Sequence, residues 1–493
     1  MNLTRRHFCG LAGGALASFC GGCAVNPATG EQQLMLVSAE DERRIGATEH
    51  PKLIAKFGGA YDEPGLAGYI AAIGGRLAST TETPGLAFTF TVLDSPIVNA
   101  MALPGGYVYI TRGLLALAQN EAEIAGVLGH EIGHVVARHT AQRLSQAQAT
   151  QFGMIGLGIL GQLYGVPSQL GRLAGTAAGL YLQGFSREQE LEADTLGIRY
   201  MTRTGYSADG MASFLGQLQS NTRLQAAIEG RPAGAVDAFD FRSTHPRTID
   251  RLHRALAAAN VARSPARTLG RDPYLRAIDG MVFGHDPDDG VIRGREFLHR
   301  ALAFRFAVPE GFRLINRPDL VAARGPEGRA AIRFDLAPRS YRGSMTAYIA
   351  RAWTRGAGIN ELEAIEVNGM AAATGWLNGR SRQGPVEVRL VAIRLDARHI
   401  YRFTFIAPPW LMRRLTVPLQ RVTYSFHRLT RAEAEAITPR RLQIIRAGEG
   451  DTSHAMARQM AVDGFQDGWF EVLNGLPGAG SLAPGQLVKM VVV

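Results

Sequence analysis

The sequence predicts an α+β protein of several domains: a mainly helical domain with a small sheet, then an α+β domain, then a small terminal unit. Three observations carry this expectation. The chain of 493 residues exceeds what one hydrophobic core accommodates. Helical apolar spacing dominates residues 51–270, interrupted by three short alternating runs. After residue 295 strand-like runs take over. The hydrophobic fraction of 46% and charged fraction of 19% are those of folded protein, not of a disordered chain.

In chain order, Arg5-Arg6 precedes an apolar run from Phe8 to Phe19 and then small residues. That order is an export signal over residues 1–22, too short to span a membrane stably. Thr4-Arg5-Arg6-His7-Phe8 resembles a bacterial twin-arginine signal, and Gly21-Gly22-Cys23 resembles the end of a lipobox, with Cys23 as the lipidated residue. Cys20 departs from that pattern, standing where an aliphatic residue is usual. The expected location is therefore the bacterial periplasm or cell envelope, at a membrane held through a lipid anchor. The three cysteines, Cys9, Cys20 and Cys23, all lie at the front, so neither a disulfide framework nor a thiol nucleophile is available in the body of the chain.

Residues 23–50 read as a linker, and 51–77 as helices. Phe88–Leu93, Asn99–Leu103 and Tyr107–Ile110 read as strands, and Glu121–Leu144 as one long helix. Residues 152–182 are apolar but interrupted by Gln162, Pro167, Gln169 and Arg172, which suits a loop or helical hairpin near the site rather than a span. Helical spacing resumes from Ser186 to His253, so a first domain covers 51–270 and a linker 271–295. Asp286-Pro287-Asp288-Asp289-Gly290 reads as a solvated turn, since its acids lack a calcium loop's spacing. A second domain, 296–435, has strands at Leu302–Val308, Ala331–Leu336, Val386–Leu395, Tyr401–Ile406 and Arg421–Phe426, with a helix near Met345–Thr354. The net charge of +10 comes from arginines spread along the chain, not gathered into a face, which argues against a nucleic-acid partner.

The chemistry-bearing string is His130-Glu131-Ile132-Gly133-His134. Residues four apart stand one turn above each other on a helix, so His130 and His134 can aim at one ion, with Glu131 beside them as a base for water. A catalytic zinc needs a third protein ligand and one open position. Ser186-Arg187-Glu188-Gln189 has the form of a capping box, which starts a helix at Ser186. Glu190 and Asp194 then share a face: Glu190 as the third ligand, Asp194 as acceptor for a ligand histidine's other nitrogen. One Zn2+ per chain follows.

HEIGH followed by S-R-E-Q-E-L-E-A-D resembles the M48 zinc peptidases, over roughly residues 40–260. The resemblance implies a mainly helical zincin-type domain, protein or peptide substrates, and a metalloendopeptidase of envelope quality control. It matches Glu190 to the family's third ligand and Asp194 to its outer acid. Thr244-His245-Pro246 with Arg251 matches a further family feature, giving His245 and Arg251 catalytic or gating roles; on chemistry alone His245 is a surface histidine. Asn99, Ala100, Met101 and Ala102 match a strand beside which substrate adds. Residues 438–493, with Gly450-Asp451-Thr452, Leu473-Asn474-Gly475-Leu476 and Leu482-Ala483-Pro484-Gly485-Gln486, resemble a LysM-like βααβ module, which implies peptidoglycan as a partner. Competing functions are a non-catalytic chaperone or wall-binding lipoprotein, and a zinc hydrolase of cell-wall peptide cross-links.

Overall fold

The computed structural model describes residues 23–147, 184–230, 245, 268–317, 320–325, 328–381, 384–478 and 480–493. The export signal, the apolar stretch 152–182, Thr244, Pro246 and Arg251 lie outside them. Two compact units are present. The first joins Met1–Met281 with Leu442–Met460 and Phe465–Val492; the second is built on Val282–Arg441.

The first unit opens with β1 (Cys23–Val25) and β2 (Gln32–Leu34), an antiparallel hairpin in the region expected to be a linker. Helix α1 (Ala39–Lys56) starts at a capping box of Ser38 and Asp41, and α2 (Pro64–Ala78) has proline in its first turn. Strands β3 (Thr89–Leu93), β4 (Ala100–Leu103) and β5 (Tyr107–Thr111) form a sheet in the order β3-β5-β4, with β3 and β5 parallel and β4 antiparallel to β5. β4 is thus an edge strand. Short helix α3 (Arg112–Leu117) leads into α4 (Glu121–Val136), capped by Asn120. Residues 122–136 of α4 are all buried, so this helix is the core of the unit.

The long helix expected over Glu121–Leu144 is two helices. α4 ends at Val136, Arg138 takes a left-handed φ of 60°, and helix α5 runs over 139–147. The Arg138 guanidinium pairs with Glu42 and donates to Val37 O at 3.0 Å, which holds the break. Helices α6 (Arg187–Arg203), α7 (Asp209–Glu229) and α8 (Arg271–Ala277) complete this part of the unit. The Ser186–Gln189 capping box forms as expected.

In the second unit β6 (Val282–Phe283), β7 (Val291–Arg293), β8 (Glu296–His299), β9 (Phe304–Ala307), β10 (Arg313–Arg317), β11 (Leu320–Arg324) and β12 (Ala331–Leu336) are followed by a helical segment, α9, of Met345–Ala347 and the wider turn Tyr348–Trp353. Then come β13 (Asn360–Val367), β14 (Met370–Ser381), β15 (Gly384–Arg394), β16 (Ile400–Ala407), helix α10 (Pro409–Ser425) and β17 (His427–Arg428). The main sheet is antiparallel, in the order β10-β11-β12-β16-β15-β14-β13; a smaller one runs β17-β9-β8-β7. The strand expected at Arg421–Phe426 is instead the end of α10. Val422, Thr423 and Tyr424 favour strands locally, but Met412, Leu419 and Val422 bury one helical face, and packing overrides propensity. In the acidic turn, Asp286 and Asp288 accept from the Arg300 guanidinium.

Past α11 (Arg431–Glu435), β18 (Arg440–Arg446), α12 (Ser453–Ala457), α13 (Gln466–Asn474) and β19 (Leu487–Val492) follow in βααβ order, with β18 and β19 adjacent. Expected as a separate small unit, Leu442–Met460 and Phe465–Val492 instead belong to the first compact unit. The reason is polar as well as apolar. Lys489 is fully buried and donates to Ala116 O at 2.8 Å and Ala118 O at 2.5 Å, the open carbonyls at the end of α3. Gln119 Nε2 donates to Leu473 O at 2.9 Å, and Arg271 to Leu487 O at 3.0 Å.

Candidate metal centre

Helix α4 carries His130, Glu131 and His134 in its last two turns, and α6 packs against it carrying Glu190 and Asp194. The two helices meet on glycines. A Cβ at Gly129 would lie 3.1 Å from Gly197 O, one at Gly133 3.0 Å from Ala193 O, and one at Gly197 2.9 Å from His130 N. Only bare backbone lets the helices approach this closely.

Donor atoms from His130, His134, Glu190 and His245 all lie within 4.8 Å of one another, and all four residues are buried. The Nε2 atoms of His130 and His134 are 3.0 Å apart. Glu190 Oε1 lies 3.4 Å from His134 Nε2 and 2.8 Å from His245 Nδ1. His245 Nδ1 is 3.2 Å from His130 Nε2, so this histidine sits among the other three donors, while its Nε2 is 3.5 Å from Glu131 Oε1. The expected surface position of His245 is thereby replaced by a central one.

The donor set fits a zinc ion. His130 Nδ1 lies 2.8 Å from Asp194 Oδ1, and a hydrogen held on that side leaves Nε2 as the lone pair facing the cluster. Burial pushes the His134 imidazole well below its ordinary pKa against the pull of Glu190, so it too is neutral. Burial pushes Glu190 up, but His245, His134 and His130 outweigh it and hold the carboxyl well below its usual range. Neutral imidazoles and an ionised carboxylate converging on one point are the donors zinc takes.

Three contacts around this cluster have no counterpart in the spacing argument. The Phe185 ring stacks on His134 with centroids 3.9 Å apart. His134 Nδ1 meets His139 Nδ1 at 2.8 Å, and His139 Nε2 meets Glu192 Oε2 at 3.2 Å. A run of helical phase from His134 places His139 on another face; the backbone reversal at Arg138 brings it back. Of the expected substrate strand, Ala100, Met101 and Ala102 lie in β4 and Asn99 precedes it, buried, its N–H donating to Thr111 Oγ1 at 3.1 Å. Ala102, Leu103 and His134 line one cleft of about 210 Å³ including its open mouth.

Residues 64–259 match the sequence profile "Peptidase family M48". The chain is 31% identical over 221 residues to the beta-barrel assembly-enhancing protease of Escherichia coli (strain K12), covering 43% of each. It is 34% identical over 188 residues to the mitochondrial metalloendopeptidase OMA1 of Arabidopsis thaliana, covering 37% of this chain and 34% of that one. To the OMA1 of Saccharomyces cerevisiae it is 32% identical over 193 residues, covering 36% and 49%. The matched part spans less than half the length of each of these relatives. The helices that carry His130, His134 and Glu190 lie inside the matched segment, so the part of the chain that holds the candidate cluster is the part similar to peptidase family M48.

Proposed function

We propose that the protein is a zinc-dependent endopeptidase of the bacterial cell envelope that cleaves misfolded or unassembled proteins. The observation that carries this reading is the buried cluster of His130, His134, Glu190 and His245 with Glu131 against it. Zinc held by His130, His134 and Glu190 would polarise the scissile carbonyl and acidify a water. Glu131, the residue after the first ligand, takes the proton from the attacking water and returns it to the leaving amine. His245, whose Nδ1 lies among these donors, would serve as a resting-state gate and have to withdraw to admit water; once displaced it would donate to the developing oxyanion, with Arg251 assisting. The edge strand β4 and the residue before it, at Asn99, Ala100, Met101 and Ala102, take substrate as an added strand, which demands extended chain and little sequence.

Cys23, which opens β1, is the proposed lipid attachment point, after export by the twin-arginine route. Among the described residues no helix is long and apolar enough to cross a membrane. The βααβ order of the C-terminal segment supports a LysM-like reading, with peptidoglycan as its ligand.

Glu131→Gln tests the reaction. The amide cannot accept the proton, so zinc content and fold should be retained while cleavage of an unfolded casein falls about 100–10,000-fold. Parent-rate cleavage by the folded, zinc-loaded variant sinks the assignment of the base. No casein cleavage by the parent itself would favour a chaperone, or, with purified peptidoglycan turned over, a cross-link hydrolase.

A further inference from the structure

His130 and His134 are held in different ways. The outer nitrogen of His130 meets a carboxylate directly, Asp194, on α6. The outer nitrogen of His134 meets another histidine. His139 is fully buried, and its two ring nitrogens face His134 Nδ1 at 2.8 Å and Glu192 Oε2 at 3.2 Å. The other oxygen of Glu192, Oε1, accepts from Asn26 Nδ2 at 2.6 Å. Asn26 is buried in the turn between β1 and β2. Its Oδ1 accepts from Ala28 N at 2.9 Å, and its main chain is locked by bonds to Glu31 and Gly30.

These contacts fix every proton in turn. Because Ala28 N–H engages Oδ1, the amide of Asn26 presents its N–H to Glu192. The Glu192 carboxylate accepts only, so His139 Nε2 carries a hydrogen, and in the neutral imidazole His139 Nδ1 is then the acceptor. His134 Nδ1 must then carry the hydrogen, which leaves His134 Nε2 as the lone pair facing the cluster. We propose that His139, Glu192 and Asn26 are positioning residues that fix the tautomer and ring orientation of His134, so that the N-terminal hairpin is part of the metal site. The inference rests on the zinc reading above and deepens it: His139 and Glu192 do for His134 what Asp194 does for His130. The hairpin is seated for this purpose by Met35 and Val37 packing on Ala141 and Leu144 of α5, and by Leu36 N donating to Ser145 Oγ at 2.8 Å. Asn26 follows Cys23 by three residues. The proposed anchor point and the outer hydrogen-bond shell of the metal are therefore joined by a few residues of ordered chain.

The test is zinc affinity of the purified protein, read by competition with a chelator and metal analysis, beside the melting temperature of the zinc-free protein. His139→Ala should weaken zinc about 10–100-fold, the range for lost outer partners of ligand histidines. Glu192→Gln, at a partly exposed position that keeps the side chain's size, should weaken it less, and Asn26→Ala less again. His139→Gln should recover most of the affinity, since its carbonyl can accept from His134 and its amide can donate to Glu192. Parent affinity in folded His139→Ala and Glu192→Gln overturns the proposal. So does a lowered zinc-free melting temperature with affinity unchanged, which marks a merely structural role. His130→Ala separates the two readings: it must strip the zinc, and if it does not, the metal-site assignment itself fails.

Discussion

The two compact units differ in how many ionisable side chains they bury beside their apolar cores. The first encloses His130, Glu131, His134, His139, Glu190, Asp194 and His245 around one half of α4, and Glu123 and Lys489 near its start. The second is filled by Phe297, Phe304, Phe306, Phe334, Phe403, Phe405 and Phe426. Among its described residues Asp335 is the one buried charged side chain, paired with Arg402 at 2.6 Å and Arg333 at 2.8 Å. Desolvating ionisable groups costs stability unless each finds a partner, whereas aromatic burial stabilises outright. The first unit accepts that cost and gains a place for chemistry. The second gains a seven-stranded sheet and, among the described residues, no cluster that could hold a metal.

Truncation should expose the difference. Phe403 touches the rings of Phe306, Phe334 and Phe405, with centroids 4.7–5.7 Å away. Phe403→Ala should cost about 3–5 kcal/mol in denaturant unfolding of the second unit. Lys489→Met keeps the length of a buried side chain but strands the carbonyls of Ala116 and Ala118; it should destabilise the first unit by about 1–3 kcal/mol. A larger loss for Lys489→Met than for Phe403→Ala would break the contrast, by making the polar core the stronger of the two.

Acid sharpens it, because the aromatic unit also holds a half-buried histidine. His299 in β8 packs against Phe304 and Phe297, and its Nδ1 accepts from Leu302 N at 3.2 Å. Burial pushes its pKa down to about 4, against the weaker pull of Asp288. The unfolded imidazole titrates near 6.5, so between these values the unfolded chain binds the extra proton. Stability is complete above about pH 6.5, falls as pH drops from there towards 4, and levels off below 4, where both states are protonated. His299→Gln should remove on the order of 1 kcal/mol of that acid sensitivity at pH 5, after discount for partial exposure, as measured by unfolding at pH 5 and pH 8. Equal pH dependence in parent and variant would assign the sensitivity elsewhere.

The gathering of the candidate metal-site residues is largely legible in the sequence because its key relations are short. The separations of His130 from His134 and of Glu190 from Asp194 are single helical turns, and a capping box marks where α6 begins. The edge strand of Ala100–Leu103 is legible for the same reason, through alternation and the turn after it. His139 is not, because its place depends on a left-handed residue at Arg138, and no periodicity survives a chain reversal. Asn26 and Glu192 are 166 residues apart and meet only through the fold. At Arg421–Phe426 local propensity points to a strand, and the buried face of α10 decides otherwise. The C-terminal segment reads as separate because its patterns are self-contained; the buried ammonium of Lys489 and its carbonyl partners give no local signal.

The glycine contact between α4 and α6 sets the gauge of the candidate metal centre. The proposed ligand positions, which a metal would need held within about 0.2 Å, are spaced by helices whose separation is itself set by Gly129, Gly133 and Gly197, none of which bears a donor. Adding one methyl group there introduces no charge and removes no hydrogen bond, yet it widens the frame on which three ligands hang. Alanine at these positions would thus be an inorganic lesion caused by a hydrocarbon. Tolerance to substitution in this helix pair follows thickness before polarity.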